Sequence, residues 1–209
     1  MWNYEKRLQY PINITTPNAK IAQIIMSQYG GPDGEMGASM RYLSQRFTMP
    51  NRTAVAVLND VGTEELAHLE MVSTIVHQLT RGLSMEEIEK SGFGPYYIDH
   101  TVGVWPQAAG GVPFNACEFQ SKGDPVTDLF EDLAAEQKAR ATYDNILRVV
   151  RDIPEVADPI RFLRAREIVH FQRFGEALRQ VQDDLNSKNF YCCNPSFDSS
   201  CGKTACRRK

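Results

Sequence analysis

The residues of this sequence best suited to chemistry form two copies of one short pattern: Glu65 followed by His68, and Glu167 followed by His170. In a helix, residues three apart lie about one turn apart on the same face, so a Glu and a His at that spacing reach toward one point. A lone glutamate precedes each pair, Glu35 before Glu65 by 30 residues and Glu136 before Glu167 by 31. Carboxylates with neutral imidazoles form a ligand set for transition-metal ions, and it suits iron and manganese alike. A single Glu-x-x-His is weak evidence. Two of them, each trailing one acid at nearly the same distance, read as a diverged duplication of one helical hairpin.

The flanking apolar residues decide whether these side chains face a core. Leu58, Val61, Glu65, His68, Val72, Ile75 and Leu79 recur at spacings of three and four, which places them on one bundle face, and Ile160, Leu163, Glu167, His170, Phe174, Ala177 and Val181 repeat the pattern. Leu129, Leu133, Glu136, Ala139, Tyr143 and Ile146 share a third face. Glu35, Ala38 and Tyr42 share a fourth, beside Met36, Met40 and Leu43. Each of four helices thus supplies one inward Glu. An unpaired carboxylate in such a core costs several kcal/mol or takes up a proton. The sequence offers too few inward cations to compensate, with Arg140 a candidate for one acid. Two metal ions balance four carboxylates and use both imidazoles, which is the inventory of di-iron and di-manganese helix bundles. The plain alternative, solvated helix faces or buried salt bridges, fits the seam placement poorly.

Helical signals cover about 18–48, 52–80, 126–151 and 155–186, with Asn18, Asp128 and Asp158 or Pro159 as start signals and a break expected at Gly30, Gly31, Pro32 and Gly34. Short turns at Met49–Asn51 and Asp152–Pro154 make antiparallel neighbours of the first two and the last two helices. A Gly- and Pro-rich connection, 81–125, joins the pairs, with a weak helical stretch at Ser84–Lys90 and a short extended piece at Tyr96–Val104. The expected fold is all-α, a ferritin-like four-helix bundle with one long crossover between two helical hairpins.

Composition bounds the rest. The chain has 209 residues, 42% of them apolar, and a net charge of −3 with no basic stripe before its last seven residues, which argues against nucleic-acid or anionic-membrane binding. It shows no secretion-signal pattern and no apolar run long enough to span a bilayer, so synthesis in the cytoplasm is expected. Residues 1–186 are expected to form one domain. Residues 187–209 are expected to form a flexible basic tail with Cys192, Cys193, Cys201 and Cys206, suited to intermolecular disulfides, to zinc, or to neither. Cys117 is expected as a small buried hydrophobe, and His77 and His100 as structural or surface residues.

Gly30-Gly31-Pro32-Asp33-Gly34-Glu35-Met36-Gly37, Glu64-Glu65-Leu66-Ala67-His68-Leu69-Glu70-Met71, Ala134-Ala135-Glu136 and Arg166-Glu167-Ile168-Val169-His170 together resemble the manganese catalases. The resemblance runs from about residue 20 to 185, and the short length with a Cys-bearing tail is most similar to the spore-coat type. It implies a dinuclear manganese cofactor, with Glu35 and His68 on one ion, Glu136 and His170 on the other, and Glu65 bridging. Glu167 is then the proton-transferring base beside the pair, and Tyr42 a catalytic residue that hydrogen-bonds near the cluster, although a core aromatic with a satisfied hydroxyl explains Tyr42 nearly as well. Implied with these are disproportionation of hydrogen peroxide by a pair alternating between Mn(II) and Mn(III), a homo-oligomer (a hexamer in the family), and residence in the spore coat with other coat proteins as partners. Ala135 stands where several larger members carry an arginine near the substrate entrance, and no counterpart of the long C-terminal extension that embraces neighbouring subunits in larger members is expected. The rival readings are a di-iron peroxidase or oxidase of the rubrerythrin or ferritin kind, and a structural coat protein with a weakly active metal site.

Overall fold

A computed structural model describes Glu5, residues 7–96 and residues 103–187. The Gly- and Pro-containing run splits the first long helix, as expected. α1 (Ala19–Gly30) starts where the Asn18 side chain accepts the Ile21 N–H, and α2 (Glu35–Gln45) resumes beyond Gly34. A Cβ at Gly30 would lie 2.4 Å from the carbonyl carbon of Pro106, so the crossover backbone packs directly onto the end of α1. After a 3₁₀ turn at Arg46–Thr48, Asn51 caps α3 (Arg52–Thr80) by accepting from the Ala54 N–H at 2.9 Å. A reciprocal Ser84–Glu87 capping box opens α4 (Met85–Ser91), the helix anticipated within the crossover.

The second hairpin is α5 (Pro125–Val150) and α6 (Pro154–Ser187). Their starts differ from the expected ones. Asp124, with Pro125 behind it, caps α5, while Asp128 turns back to accept the N–H groups of Lys122 and Gly123 at 2.7 and 3.0 Å. α6 begins at Pro154, where a missing N–H is harmless, and it runs through Pro159 in its second turn. Among the described residues no strand forms, and extended pairing is limited to isolated bridges such as Gln107 with Pro113. The expected extended piece at Tyr96–Val104 falls largely outside the described residues, as do His100 and the whole cysteine-bearing tail.

α2 packs on α3, α5 on α6, and α3 on α6, giving two antiparallel hairpins set side by side. Two apolar clusters fill the bundle. One joins Ile25 and Met26 to Val72, Ile75, Ile146, Ile160 and Leu163; the other joins Tyr42 to Leu58, Val61, Leu129, Phe174 and Val181. On every long helix the acid and histidine positions fall between the stretches that feed the two clusters, so the polar residues occupy a layer across the middle of the core. Each fully buried Leu or Ile contributes about 1.5–3 kcal/mol, and this apolar packing on both sides holds the layer dry.

The N-terminal segment ties the hairpins together. Ile12 and Ile14 are buried, Gln78 holds the backbone of both residues, and Thr15 donates twice to the Glu155 carboxylate, at 2.8 Å each. Three sequence expectations need correction. Cys117 is exposed, on a 3₁₀ turn at Ala116–Phe119 of the crossover, because that segment covers the bundle without entering it. Met40, one of the residues beside the α2 face, points outward. Arg140 pairs at the surface with Asp144 and Gln137, and the buried guanidinium belongs to Arg41. His77 is exposed, as expected, and among the described residues no helix is long and apolar enough to cross a membrane.

The close approach at Gly30 makes a direct prediction. Gly30→Ala should cost about 1–3 kcal/mol in thermal unfolding, since the obstructing atoms are backbone. Gly94→Ala, where a Cβ meets nothing within 4 Å, should leave the melting temperature unchanged.

Candidate metal centre

All four predicted acids and both histidines converge in the polar layer. Glu35, Glu65, Glu136 and Glu167 are at most 3% exposed, and His68 and His170 are fully buried. The two imidazoles are 5.4 Å apart between ring centroids and nearly parallel, with their Nδ1 atoms toward the acids and their Nε2 atoms away from them.

The pairing of atoms is two-fold symmetric in pattern. His68 Nδ1 lies 2.7 Å from Glu65 Oε2 and 3.7 Å from Glu35 Oε2; His170 Nδ1 lies 2.8 Å from Glu65 Oε1 and 3.5 Å from Glu136 Oε2. Glu65 thus presents one oxygen to each histidine, and a separate acid completes each half. Donor atoms sharing one ion with bonds of about 2.1 Å lie roughly 3–4 Å apart, the separation found for the outer acids. Glu65, His68, Glu167 and His170 also form a group whose possible ligand atoms all lie within 4.8 Å of one another.

The outer acids are held by tyrosines, and the tie crosses the bundle. Tyr42 on α2 donates to Glu136 Oε1 on α5 at 2.5 Å, and Tyr143 on α5 donates to Glu35 Oε1 on α2. Each tyrosine lies seven residues beyond an acid of the other pair, since Glu35 leads to Tyr42 and Glu136 to Tyr143. Burial, then the charge of the acid it touches, pushes each hydroxyl pKa well up, so both tyrosines remain donors. Tyr42 therefore meets the polar layer through Glu136. Tyr143 is its counterpart, which the sequence reading placed on the seam without a role although the repeated seven-residue spacing marked it.

A second residue missed in the sequence is Glu64. Its carboxylate lies 3.1 Å from His170 Nε2 and 3.6 Å from His68 Nε2, backing both imidazoles, and it accepts from Arg166 at 2.8 and 3.1 Å and from Gln9 at 2.7 Å. Arg166 occupies the position before Glu167 that Glu64 occupies before Glu65, so the duplication is broken here into an ion pair. Burial opposes ionisation of Glu64, and its contacts with His170, His68 and Arg166 outweigh it and hold the carboxylate far below the usual range. Such a partner fixes the ring and leaves Nδ1 as the atom to bind a metal.

The remaining atoms show what the centre could hold. Glu65 Oε1, Glu136 Oε2, Glu167 Oε1 and His170 Nδ1 are buried without a hydrogen-bond partner, and Glu65 Oε1 and His170 Nδ1 approach to 2.8 Å without hydrogen-bond alignment. Acceptors aimed at one another are satisfied by cations, not by further protein donors. In the protein alone the balance is met with protons. Burial, then the charge of Glu65, lifts Glu35 to about 7; burial, then Glu136, lifts Glu167 well above its ordinary range. Burial opposes charging of both histidines, and the charge of Glu65 overcomes it and raises them. The donor set fits two transition-metal ions. Ala135 is buried beside Glu136, and no guanidinium enters the centre from that position.

Comparison with known proteins agrees with this chemistry. The family described as "Manganese containing catalase" matches residues 1–190. Protein CotJC of Bacillus subtilis is 46% identical over 91% of this chain and 100% of its own. A probable manganese catalase of Clostridium acetobutylicum is 31% identical over 91% of this chain and 85% of its own. Among solved structures, KatB, a manganese catalase from Anabaena, superposes with a TM-score of 0.77 at 30% identity, covering 87% of this chain and 81% of that one. The described architecture is therefore the ferritin-like manganese catalase fold.

Two outcomes follow from the geometry. Glu64→Gln removes the charge behind both imidazoles and should weaken metal binding about 10–100-fold, measured by chelator competition, with the fold retained. The pH response of the metal-free protein has a definite sign. Glu35 takes up its proton in the folded state at about 7, against an ordinary 4.5, so between those values the folded state binds more protons than the unfolded one. Stability then falls as pH rises through that window. The raised histidines extend the fall above it. The melting temperature of metal-free protein should therefore drop between about pH 5 and 7 and the drop should vanish on metal loading; a flat or rising profile without metal would contradict the burial described.

Proposed function

We propose, for a chain that belongs to the manganese-containing catalase family, that it disproportionates hydrogen peroxide to dioxygen and water at a dinuclear manganese centre. The observation that carries the reading is the shared carboxylate of Glu65, one oxygen toward each histidine at 2.7 and 2.8 Å. In this reading Glu35 and His68 hold one ion, Glu136 and His170 the other, and Glu65 joins them. When bound, the manganese pair supplies a two-electron couple, each ion changing by one electron.

One peroxide gives up two electrons and two protons to become dioxygen; a second takes up two electrons and two protons as its O–O bond breaks to yield two waters. The protein's part is to move those protons and keep bulk water out. Glu167 Oε1 is buried and has no hydrogen-bond partner beside Glu65, His68 and His170. Burial, then the neighbouring acids, raises its carboxyl pKa, so its carboxylate is a strengthened base that can take a proton from incoming peroxide and, once protonated, return it to departing water. Tyr42 and Tyr143 hold the outer oxygens of Glu136 and Glu35, which leaves the inner oxygens to face the centre.

The close grouping of Glu167 with Glu65 and both histidines also places its carboxylate within ligating reach, the arrangement of di-iron relatives. Family membership, not ligand chemistry, favours manganese and a proton-carrying Glu167. Association with the spore coat, assembly as a hexamer and crosslinking through the tail cysteines are parts of the same proposal that rest on the resemblance of the short chain and its tail to the coat-type members.

Protein loaded with manganese should evolve one dioxygen for every two peroxides consumed, and protein loaded with iron should not. Glu167→Gln should keep its manganese and lose about 10²–10⁴-fold in kcat, read by an oxygen electrode alongside metal analysis. Loss of the metal in that variant would instead make Glu167 a ligand, and absence of oxygen evolution by fully loaded wild-type protein would end the catalase reading.

A further inference from the structure

Beside the metal centre, α2 and α5 enclose a second buried polar group that the chemistry above does not use. Arg41, Gln45 and Asp132 are 1, 3 and 0% exposed. Arg41 Nε and Nη1, Gln45 Oε1 and both oxygens of Asp132 have no hydrogen-bond partner in the protein. The contacts that Arg41 and Gln45 do make run to the α1–α2 link, to Glu131 on α5 and to the crossover. Arg41 Nη2 donates to the Pro32 carbonyl at 3.2 Å, its Nη1 lies 3.8 Å from Glu131 Oε1, and its guanidinium carbon lies 5.9 Å from the Phe119 ring centroid. Gln45 Nε2 donates to Ser121 Oγ at 2.9 Å.

A buried salt bridge repays its desolvation by closing on itself with good geometry, and this group does not. It leaves unpaired donors and unpaired acceptors buried on the packed faces of α2 and α5. Buried polar atoms are nearly always satisfied, and the guest that satisfies both kinds at once is a small molecule with O–H donors and lone pairs, water or hydrogen peroxide. Burial raises the Asp132 carboxyl well above its ordinary value, with Arg41 and then the Gln45 amide working against the shift, so this side chain too can offer a donor as well as an acceptor.

The position gives the group a purpose. Asp132 lies one helical turn before Glu136, a rise of about 6 Å, and Arg41 adjoins Tyr42, whose hydroxyl is on Glu136. One turn earlier still, Asp128 is buried under the backbone N–H groups of Lys122 and Gly123. One face of α5 therefore carries carboxylates from the underside of the crossover to the metal centre. Glu131, next to this line, meets Lys138 at 3.6 Å, and Lys138, which is half exposed, also pairs with Asp33 at 2.9 Å.

We propose that Arg41, Gln45 and Asp132 form a hydrogen-bonding station through which hydrogen peroxide passes from beneath the crossover to the metal pair. The proposal rests on the catalase reading for the identity of its guest, and its test separates the two. In manganese-loaded protein, Arg41→Met/Asp132→Leu, which replaces both charges with apolar groups of similar size and so spares the fold, should lower kcat/KM for peroxide about tenfold or more, chiefly through KM, with manganese content and melting temperature kept. Gln45→Leu, which removes neither charge, should show the same signature and serves if the double variant does not fold. Crystals of zinc-loaded wild-type protein, in which peroxide is not consumed, should show a two-oxygen guest bridging at least two of the three side chains after soaking in peroxide, and a single water without it. Wild-type kcat/KM in these variants, an equal fall in kcat and kcat/KM, or water alone at high peroxide would each overturn the station. Manganese-loaded wild-type protein without oxygen evolution would overturn the catalase reading while leaving the soaked crystal to report on the station by itself.

Discussion

Four carboxylates in the middle of an apolar bundle are the constraint on which the rest of this molecule depends. Each would cost several kcal/mol if ionised and unpaired, and the structure meets that cost locally. Protons and histidines do so in the protein alone; two metal ions would do so in the loaded form. The two apolar clusters that sandwich the layer keep water out, and dryness makes the acids crave cations. Stability and metal affinity are thus consequences of one arrangement, and metal binding would release the protons that the layer otherwise holds.

The duplication explains why the layer is orderly. Each hairpin contributes an acid, a Glu-x-x-His and a tyrosine seven residues beyond the lone acid, and the tyrosines cross to the partner hairpin's acid. In the proposed ligand set the second hairpin depends on Glu65 of the first. Symmetry is broken where chemistry needs a difference. Glu65 has an oxygen toward each histidine, whereas its counterpart Glu167 faces the same space with an unpartnered oxygen. Glu64 and Arg166, at matching positions, become an ion pair that backs both rings.

Much of this was legible in the sequence, because helical periodicity reports inward faces reliably. The seams around Glu65 and Glu167 and the break at Gly30–Gly34 lie where the spacing puts them. Helix starts were less legible: Asp124 and Pro154 outcompeted Asp128 and Pro159 because the cap is set by local backbone geometry that several nearby residues could serve. Glu64 was hidden because it sits one position off the seam and acts on the far side of the rings. Arg41 and Asp132 were hidden for a related reason, since a buried charge on α2 gains meaning only from the α5 face opposite it. Cys117 was misplaced because composition alone does not show that the crossover lies over the bundle and not in it.

The central claim is that the inward acids share two cations with the two imidazoles. Anomalous diffraction from crystals of manganese-replete protein, recorded at the manganese and iron edges, tests it most directly. The account predicts two manganese peaks about 3.5–4 Å apart, one beside Glu35 and His68, the other beside Glu136 and His170, with Glu65 between them. A metal-replete crystal with no peak inside the polar layer, or with a single ion on the protein surface, would contradict it.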